Sequence, residues 1–244
     1  MPAEYSADGA ISGGPELDRS GSMADGLYEI IRAEVVAGRF RPGQRLSEAS
    51  IGRQYGVSRS PVREAVASLE RDGLIVRNGM VIRVRERTEQ EILDIYQVRI
   101  YMEGATAADA AQRHQPMDLR RLGAALNIAE TLDLTDPQAM MSANRLFHDA
   151  LAAAAHNATL AELQERLTAQ VHTLPATTLS TPGRWQAACE EHRLIMRAVE
   201  ARDSETARSV AEKHMTEARD IRIRLYESVV STPATVSGGP EEGR

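Results

Sequence analysis

The stretch Gly56-Val57-Ser58-Arg59-Ser60-Pro61-Val62-Arg63-Glu64, followed by a helical run and the pair Asn78-Gly79, limits the possible fold more than any other part of the chain. Val62, Ala65, Val66 and Leu69 are three and four residues apart, so they line the buried side of one helix. Arg59 and Arg63, four apart, are left on its outward side. Ser58 or Ser60 caps this helix; with Ser60 as the cap, Pro61 takes the first helical position, where its missing N–H costs nothing. Gly73 closes the helix. Upstream, Leu27, Ile30, Ile31 and Val35 predict a helix over 26–37 that ends at Gly38 and the Arg41-Pro42-Gly43 turn. Ser47 caps a short second helix carrying Ile51 and Tyr55, and Gly56 supplies the tight turn into the third. Leu74–Arg77 and Met80–Val84 then predict a hairpin about Asn78-Gly79, a pair that accepts positive φ at both central positions of a type I′ turn. Three short helices plus a β-hairpin make a winged helix-turn-helix over 25–86.

The start of the third helix carries chemistry suited to DNA. The hydroxyls of Ser58 and Ser60, with the helix N-terminal amides, match phosphate oxygens. Arg59 and Arg63 have the forked geometry that reads guanine O6 and N7 in a major groove. Arg77 and Gly79 stand at the wing tip, from which Arg77 reaches a phosphate or a minor groove. The plainer alternative is that these are solvated surface arginines. Arginine abundance adds little by itself, because every basic residue except Lys213 is arginine.

The net charge of −6 argues against nucleic acid only until it is divided along the chain. Residues 27–86 hold 11 arginines against 7 acids, near +4, whereas the rest holds 18 basic residues against 28 acids, near −10. A basic module joined to an acidic one fits a DNA-reading head joined to a sensing or dimerising part. No run of about 18 apolar residues is present to span a bilayer. The N-terminal stretch carries Glu4, Asp8, Glu16 and Asp18, unlike a signal peptide. A cytoplasmic protein with no membrane partner is expected, and the single Cys189 fits a reducing compartment.

Residues 1–24 and 230–244, rich in Gly, Ser, Ala and Pro without periodicity, read as disordered tails. Residues 88–229 read as an all-helical unit, with helices over 88–113, 117–131, 137–155, 158–172, 184–201 and 203–228 and a breaker-rich loop at 173–182. The fold class is therefore mostly α, a winged helix-turn-helix followed by an all-α helical bundle. Three of the six histidines, His148, His192 and His214, fall on separate helices of that bundle, and Asn144 shares a helical face with His148. Neutral imidazoles from several helices can hold one divalent first-row ion inside a bundle. Histidines on apolar faces are also often plain core residues, and spacing alone leaves both readings open. His114, His156 and His172 sit at helix ends or loops without a role; Cys189 is a core thiol or faces the same cavity.

Pro42-Gly43-Gln44-Arg45-Leu46-Ser47-Glu48, Gly56 to Ala65 and Gly73-Leu74-Ile75-Val76 together resemble the N-terminal domain of GntR-type bacterial transcription factors. Gln97-Val98-Arg99, Met102-Glu103-Gly104, Asn144-Arg145-Leu146-Phe147-His148, Ala155-His156-Asn157, Glu191-His192-Arg193-Leu194-Ile195 and Glu212-Lys213-His214 are similar to the helical FCD-type effector domain of the FadR subfamily, in its shorter six-helix variety. The resemblance covers about 27–227. It implies a homodimeric regulator, a repressor, that binds double-stranded operator DNA and answers to a small organic acid. It also implies a divalent transition metal, zinc ahead of nickel or manganese, held by Asn144, His148, His192 and His214, with Arg99 anchoring the effector. Asn144 departs from the aspartate of many relatives, and its neutral amide leaves the ion more net positive charge. For Arg99 the competing reading is an ion pair with Glu103, four residues on. Two other functions compete: a metal-dependent hydrolase, since three histidines and an open metal position describe such a site, and a regulator that senses the metal itself.

Overall fold

A computed structural model describes residues 22–36, 38–79, 81–132, 136–172 and 177–230. Most of the two expected tails, Met80 of the expected hairpin and Thr173–Ala176 of the expected loop lie outside these residues. The chain divides into two compact units, one of residues 1–88 with 159–175 and one of 89–158 with 176–244.

The first unit contains α1 (Met23–Val36), β1 (Arg45–Leu46), α2 (Glu48–Tyr55), α3 (Arg59–Arg71), β2 (Ile75–Asn78) and β3 (Val81–Val84). α1 starts three residues before the expected position, inside the stretch read as tail, because Ala24 is already buried. Ser47 caps α2 as expected, accepting from the Ser50 N–H at 3.0 Å. Gly56 follows with φ +64, the left-handed conformation that lets α2 turn sharply into α3. Of the two possible caps for α3, the structure selects Ser58, so Pro61 is its third residue. Val62, Ala65, Val66 and Leu69 are the buried face of α3. They meet Leu27, Ile31 and Ile82 in one core, and each such side chain contributes roughly 1.5–3 kcal/mol relative to exposure.

Two features of the wing differ from expectation. The sheet has three antiparallel strands in the order β1-β3-β2, since Arg45 and Leu46 pair with Arg83 and Ile82. Their two-residue strand is too short to show an alternating pattern. The hairpin also turns one residue later than read: Asn78 is the last paired residue, opposite Val81. Among the described non-glycine residues only His156 and Arg202 have positive φ, so Asn78 stays extended and the type I′ reading about Asn78-Gly79 is corrected. Gly79, with φ +61, is then the first of the two central residues, the position where a two-residue hairpin favours glycine. This register sets Ile75 opposite Val84, both 1% exposed.

A buried carboxylate ties α1 to α2. Glu34 is 2% exposed and accepts a short hydrogen bond from the Tyr55 hydroxyl, with Arg39 Nη1 at 3.4 Å. Tyr55→Phe leaves that oxygen without its main donor, so a loss of about 1–3 kcal/mol is expected. Urea unfolding checks it; an unchanged midpoint would mean that water replaces the hydroxyl at no cost.

Helix α7 (Ala158–His172) belongs with this first unit, although the sequence reading places 158–172 in the helical unit. Ala169 is buried in the first core, Arg32 pairs with Glu165 at 3.0 Å, and Arg166 approaches Asp72 at 3.9 Å. Ion pairs this exposed contribute at most about 1 kcal/mol each, so the apolar contact is the firmer attachment.

The second unit holds α4 (Glu89–Arg113), α5 (Pro116–Glu130), α6 (Pro137–Ala154), a 3-10 turn at Thr178–Ser180, α8 (Arg184–Glu200) and α9 (Ser204–Val230). Helices α5 and α6 begin as their sequences dictate: Gln115 and Asp118 form a capping box, and Asp136 accepts from the Gln138 N–H at 2.8 Å ahead of Pro137. Leu122, Phe147, Leu151 and Ile195 form the centre of the core. Helix α4 runs along α9, and the approach is close at Gly104, where a Cβ would lie 2.6 Å from Glu212 Cγ. Among the described residues no helix is long and apolar enough to cross a membrane.

Candidate DNA-reading surface and metal centre

Ser58, Arg59, Ser60 and Arg63 are all exposed at the start of α3. No acid lies in its first turn, so the unpaired N–H groups and the positive end of the helix dipole keep their full attraction for anions. Neither Arg59 nor Arg63 forms an ion pair among the described residues, whereas Ser60 Oγ donates to Glu64 at 3.2 Å. Arg77 is engaged differently: its Nη2 lies 2.9 Å from Glu48 and its Nε 3.8 Å from Glu70. It reaches DNA only by giving up those partners. Gly79 is exposed next to it.

In the second unit, α6, α8 and α9 bring His148, His192 and His214 together, with their ligand atoms all within 4.8 Å of one another. An ion with bonds of about 2.1 Å draws nitrogen ligands to within about 4.2 Å, a little closer than they stand here. His192 is stacked on Phe147 with centroids 4.0 Å apart, and His214 lies 4.7 Å from His192. Both ring nitrogens of His192 are buried without a hydrogen-bond partner, and so is Oδ1 of Asn144. Orphaned buried polar groups of this kind, here one imidazole N–H, one imidazole lone pair and an amide oxygen, cost about 1–3 kcal/mol each unless something binds them. A divalent cation fits this donor set.

The protonation states agree. Burial pushes His192 well below the usual imidazole range, helped by the charges of His214, His148 and Arg184. Burial also brings His214 down to about 4, against the opposing pull of its bond to Glu191. Both rings are therefore neutral at pH 7 and have lone pairs to donate. In the metal-free protein the unfolded chain takes up protons near the ordinary imidazole value of about 6.5, before the folded chain does. Stability is thus whole above that pH and falls as pH drops from there to about 4. Thermal melts across this range test the sign, and a flat profile would show the rings to be hydrated.

Two carboxylates that the sequence reading did not assign to this site stand behind the histidines. Glu103 Oε2 lies 3.3 Å from His148 Nδ1, and Glu191 Oε2 lies 2.6 Å from His214 Nδ1. Burial raises the pKa of Glu103, but His148, Arg99 and His214 outweigh it and hold the group below the usual carboxylate range. Glu191 is likewise raised by burial and lowered further by its bonds to His214 and Arg184. Glu103 stands 45 residues before His148, and the sequence offered it only as a partner for Arg99; Glu191 is beside His192 in the chain. Arg99 Nε is buried without a partner, and its guanidinium lies 5.1 Å from the Tyr96 ring. Arg99 acts on Glu103 through its charge, while the carboxylate's hydrogen bond goes to His148.

The remaining candidates are structural. His114 is buried with Nδ1 3.0 Å from the Ala110 carbonyl, and His156, with φ +48, pairs with Asp118 at 2.8 Å in the turn after α6. The side chain of His172 lies outside the described residues. Cys189 packs in an apolar cluster with Ala129, Met140 and Trp185, and burial raises its pKa.

A winged helix joined to an all-helical domain defines a DNA-binding transcriptional regulator. The comparisons agree: residues 23–81 match the model for bacterial regulatory proteins of the gntR family, and 94–217 match that for the FCD domain. The chain belongs to the GntR family, with an FCD domain as its helical part. It is 30% identical over 195 residues to the probable D-xylose utilization operon transcriptional repressor of Paenarthrobacter nicotinovorans, covering 80% of this chain and 86% of the relative. It is 29% identical over 187 residues to the HTH-type transcriptional regulator YdhC of Bacillus subtilis, covering 75% and 83%. The solved structure of McbR/YncC from E. coli superposes with a TM-score of 0.72 at 23% identity, covering 84% of this chain and 99% of that one. These relatives regulate transcription and are not enzymes, so the hydrolase reading is set aside. The family's regulators bind operator DNA.

Proposed function

We propose that this chain is a homodimeric operator-binding repressor whose DNA affinity is set by a small organic acid captured at a metal centre in the FCD domain. His148, His192, His214 and Asn144 hold the ion, zinc ahead of nickel or manganese, and Arg99 takes an oxygen of the effector. One observation carries the reading: three imidazoles converge within 4.8 Å, and both nitrogens of His192 and the Asn144 oxygen are buried without partners. When bound, the metal supplies a Lewis-acidic centre for a carboxylate oxygen. The protein's part is to exclude water around the buried His192 and His214 and to aim the guanidinium of Arg99. In the reading head, Arg59 and Arg63 read base edges while Ser58, Ser60, the wing at Gly79 and Arg77 fix the backbone. Two copies related by a two-fold axis read a palindromic operator, and the effector acts by favouring one spacing of the two α3 helices over the other.

Elemental analysis of the purified protein, paired with gel shifts of its own upstream intergenic DNA, tests this directly. The expected result is near-stoichiometric divalent metal and specific binding that one class of organic acid relieves and a chelator makes insensitive to that acid. Binding that follows metal concentration and ignores every acid would favour a metal sensor. Specific binding by a protein that takes up no metal would remove the metal centre from the reading.

A further inference from the structure

Glu103 and Glu191 touch the histidine cluster without belonging to its ligand set. Glu103 is 5% exposed. A contact of 2.6 Å between Glu191 Oε2 and His214 Nδ1 must hold a hydrogen, and an ionised carboxylate only accepts, so the proton is on Nδ1 and Nε2 carries the free lone pair. The 3.2 Å approach of Arg184 Nη2 to the same Nδ1 would demand the other tautomer. The shorter contact decides it, and Arg184 instead donates Nη1 to Glu191 at 2.7 Å and Nη2 to the His214 carbonyl at 3.4 Å. The same logic gives His148 its proton on Nδ1, facing Glu103 at 3.3 Å.

We infer that Glu103 and Glu191 are positioning residues of the metal centre: they fix His148 and His214 as Nδ1–H tautomers with Nε2 free for the ion, and they supply, one hydrogen bond behind the ligands, the negative charge that Asn144 lacks. The inference rests on the metal reading proposed above. Three imidazoles and an amide bring no charge to a divalent cation, so in a buried site its charge must be balanced from behind the ligands. Each carboxylate also feels an arginine: Arg184 donates to Glu191 at 2.7 Å, and Arg99 acts on Glu103 through its charge. At His214 the anionic oxygen, 2.6 Å from Nδ1, is nearer to the ring than Arg184 Nη2 at 3.2 Å. His192 has no such acceptor on either nitrogen, which leaves it as the one ring whose tautomer only the ion selects.

Glu103→Gln and Glu191→Gln separate the two roles, because an amide oxygen still accepts Nδ1–H but carries no charge. Long-range proton–nitrogen NMR on the labelled, metal-free full chain reads the tautomers, and competition with a chromophoric chelator reads zinc affinity. Wild type is expected to show Nδ1–H at His148 and His214, and each variant is expected to bind zinc about 10–100-fold more weakly. Adding Asn144→Asp to either variant is expected to restore most of that loss, a rescue that a general folding defect would not show. Melting of the metal-free variants confirms that they are folded. Protons on Nε2, or variants that bind zinc as tightly as a zinc-binding wild type, overturn the inference and leave the metal reading standing. A wild-type chain that takes up no zinc, nickel or manganese overturns the metal reading and the inference with it.

Discussion

Replacing His192 with leucine is expected to raise the melting temperature of the metal-free protein while abolishing its retention of a divalent ion. The two effects have opposite signs because the same two atoms cause both. His192 is 2% exposed, and neither ring nitrogen has a partner. An apolar side chain of similar size keeps the contact with Phe147 and removes about 1–3 kcal/mol of unsatisfied burial. It also removes the central ligand, leaving His148 and His214 with Asn144. Elemental analysis and a melt of chelator-treated protein decide the matter. A lower melting temperature with unchanged metal content would make His192 an ordinary core residue and sink its assignment as a ligand.

The second large effect is expected at the reading head. Arg63→Ala should weaken specific operator binding by about 1–3 kcal/mol, or roughly 5–150-fold, while binding to random DNA changes little. Arg63 is exposed, four residues from Arg59, and has no intramolecular ion pair among the described residues to compensate for its loss. Anisotropy titrations at one salt concentration on operator and random duplexes distinguish the outcomes. Equal losses on both would make Arg63 a phosphate contact. Arg77→Ala should cost less on either DNA, because its guanidinium leaves Glu48 at 2.9 Å before it meets a phosphate.

Elements with strong periodicity were legible from the sequence, and those set by pairing at a distance were not. The buried face of α3 follows from residues three and four apart, and the Ser47 cap follows from one side chain and its own turn. The strand Arg45–Leu46 exists only because β3 lies beside it, and the place where the hairpin turns depends on which residue opposes Val84. Neither is a local property. The histidines could be picked out because imidazoles are rare on apolar helix faces, and the bundle brings all three together. The place of Glu103 and Glu191 behind the histidines was not legible, because glutamates are common on helices and only the packing of α4 against α6 and of α8 against α9 gives them these partners.

The position of α7 matters for anyone exchanging parts between relatives. The matched gntR region ends at residue 81, and a chimera spliced near residue 88 would seem to carry over a whole DNA-binding head. Yet Ala169 fills part of that head's core, and Glu165 and Arg166 meet Arg32 and Asp72. A grafted head would therefore meet a foreign helix at that surface, where its own sequence had been fitted to another. Transplants that include 159–175 along with 1–88 should tolerate the exchange better than those cut once, and the junction that inheritance must preserve is a pair of segments 70 residues apart in the chain.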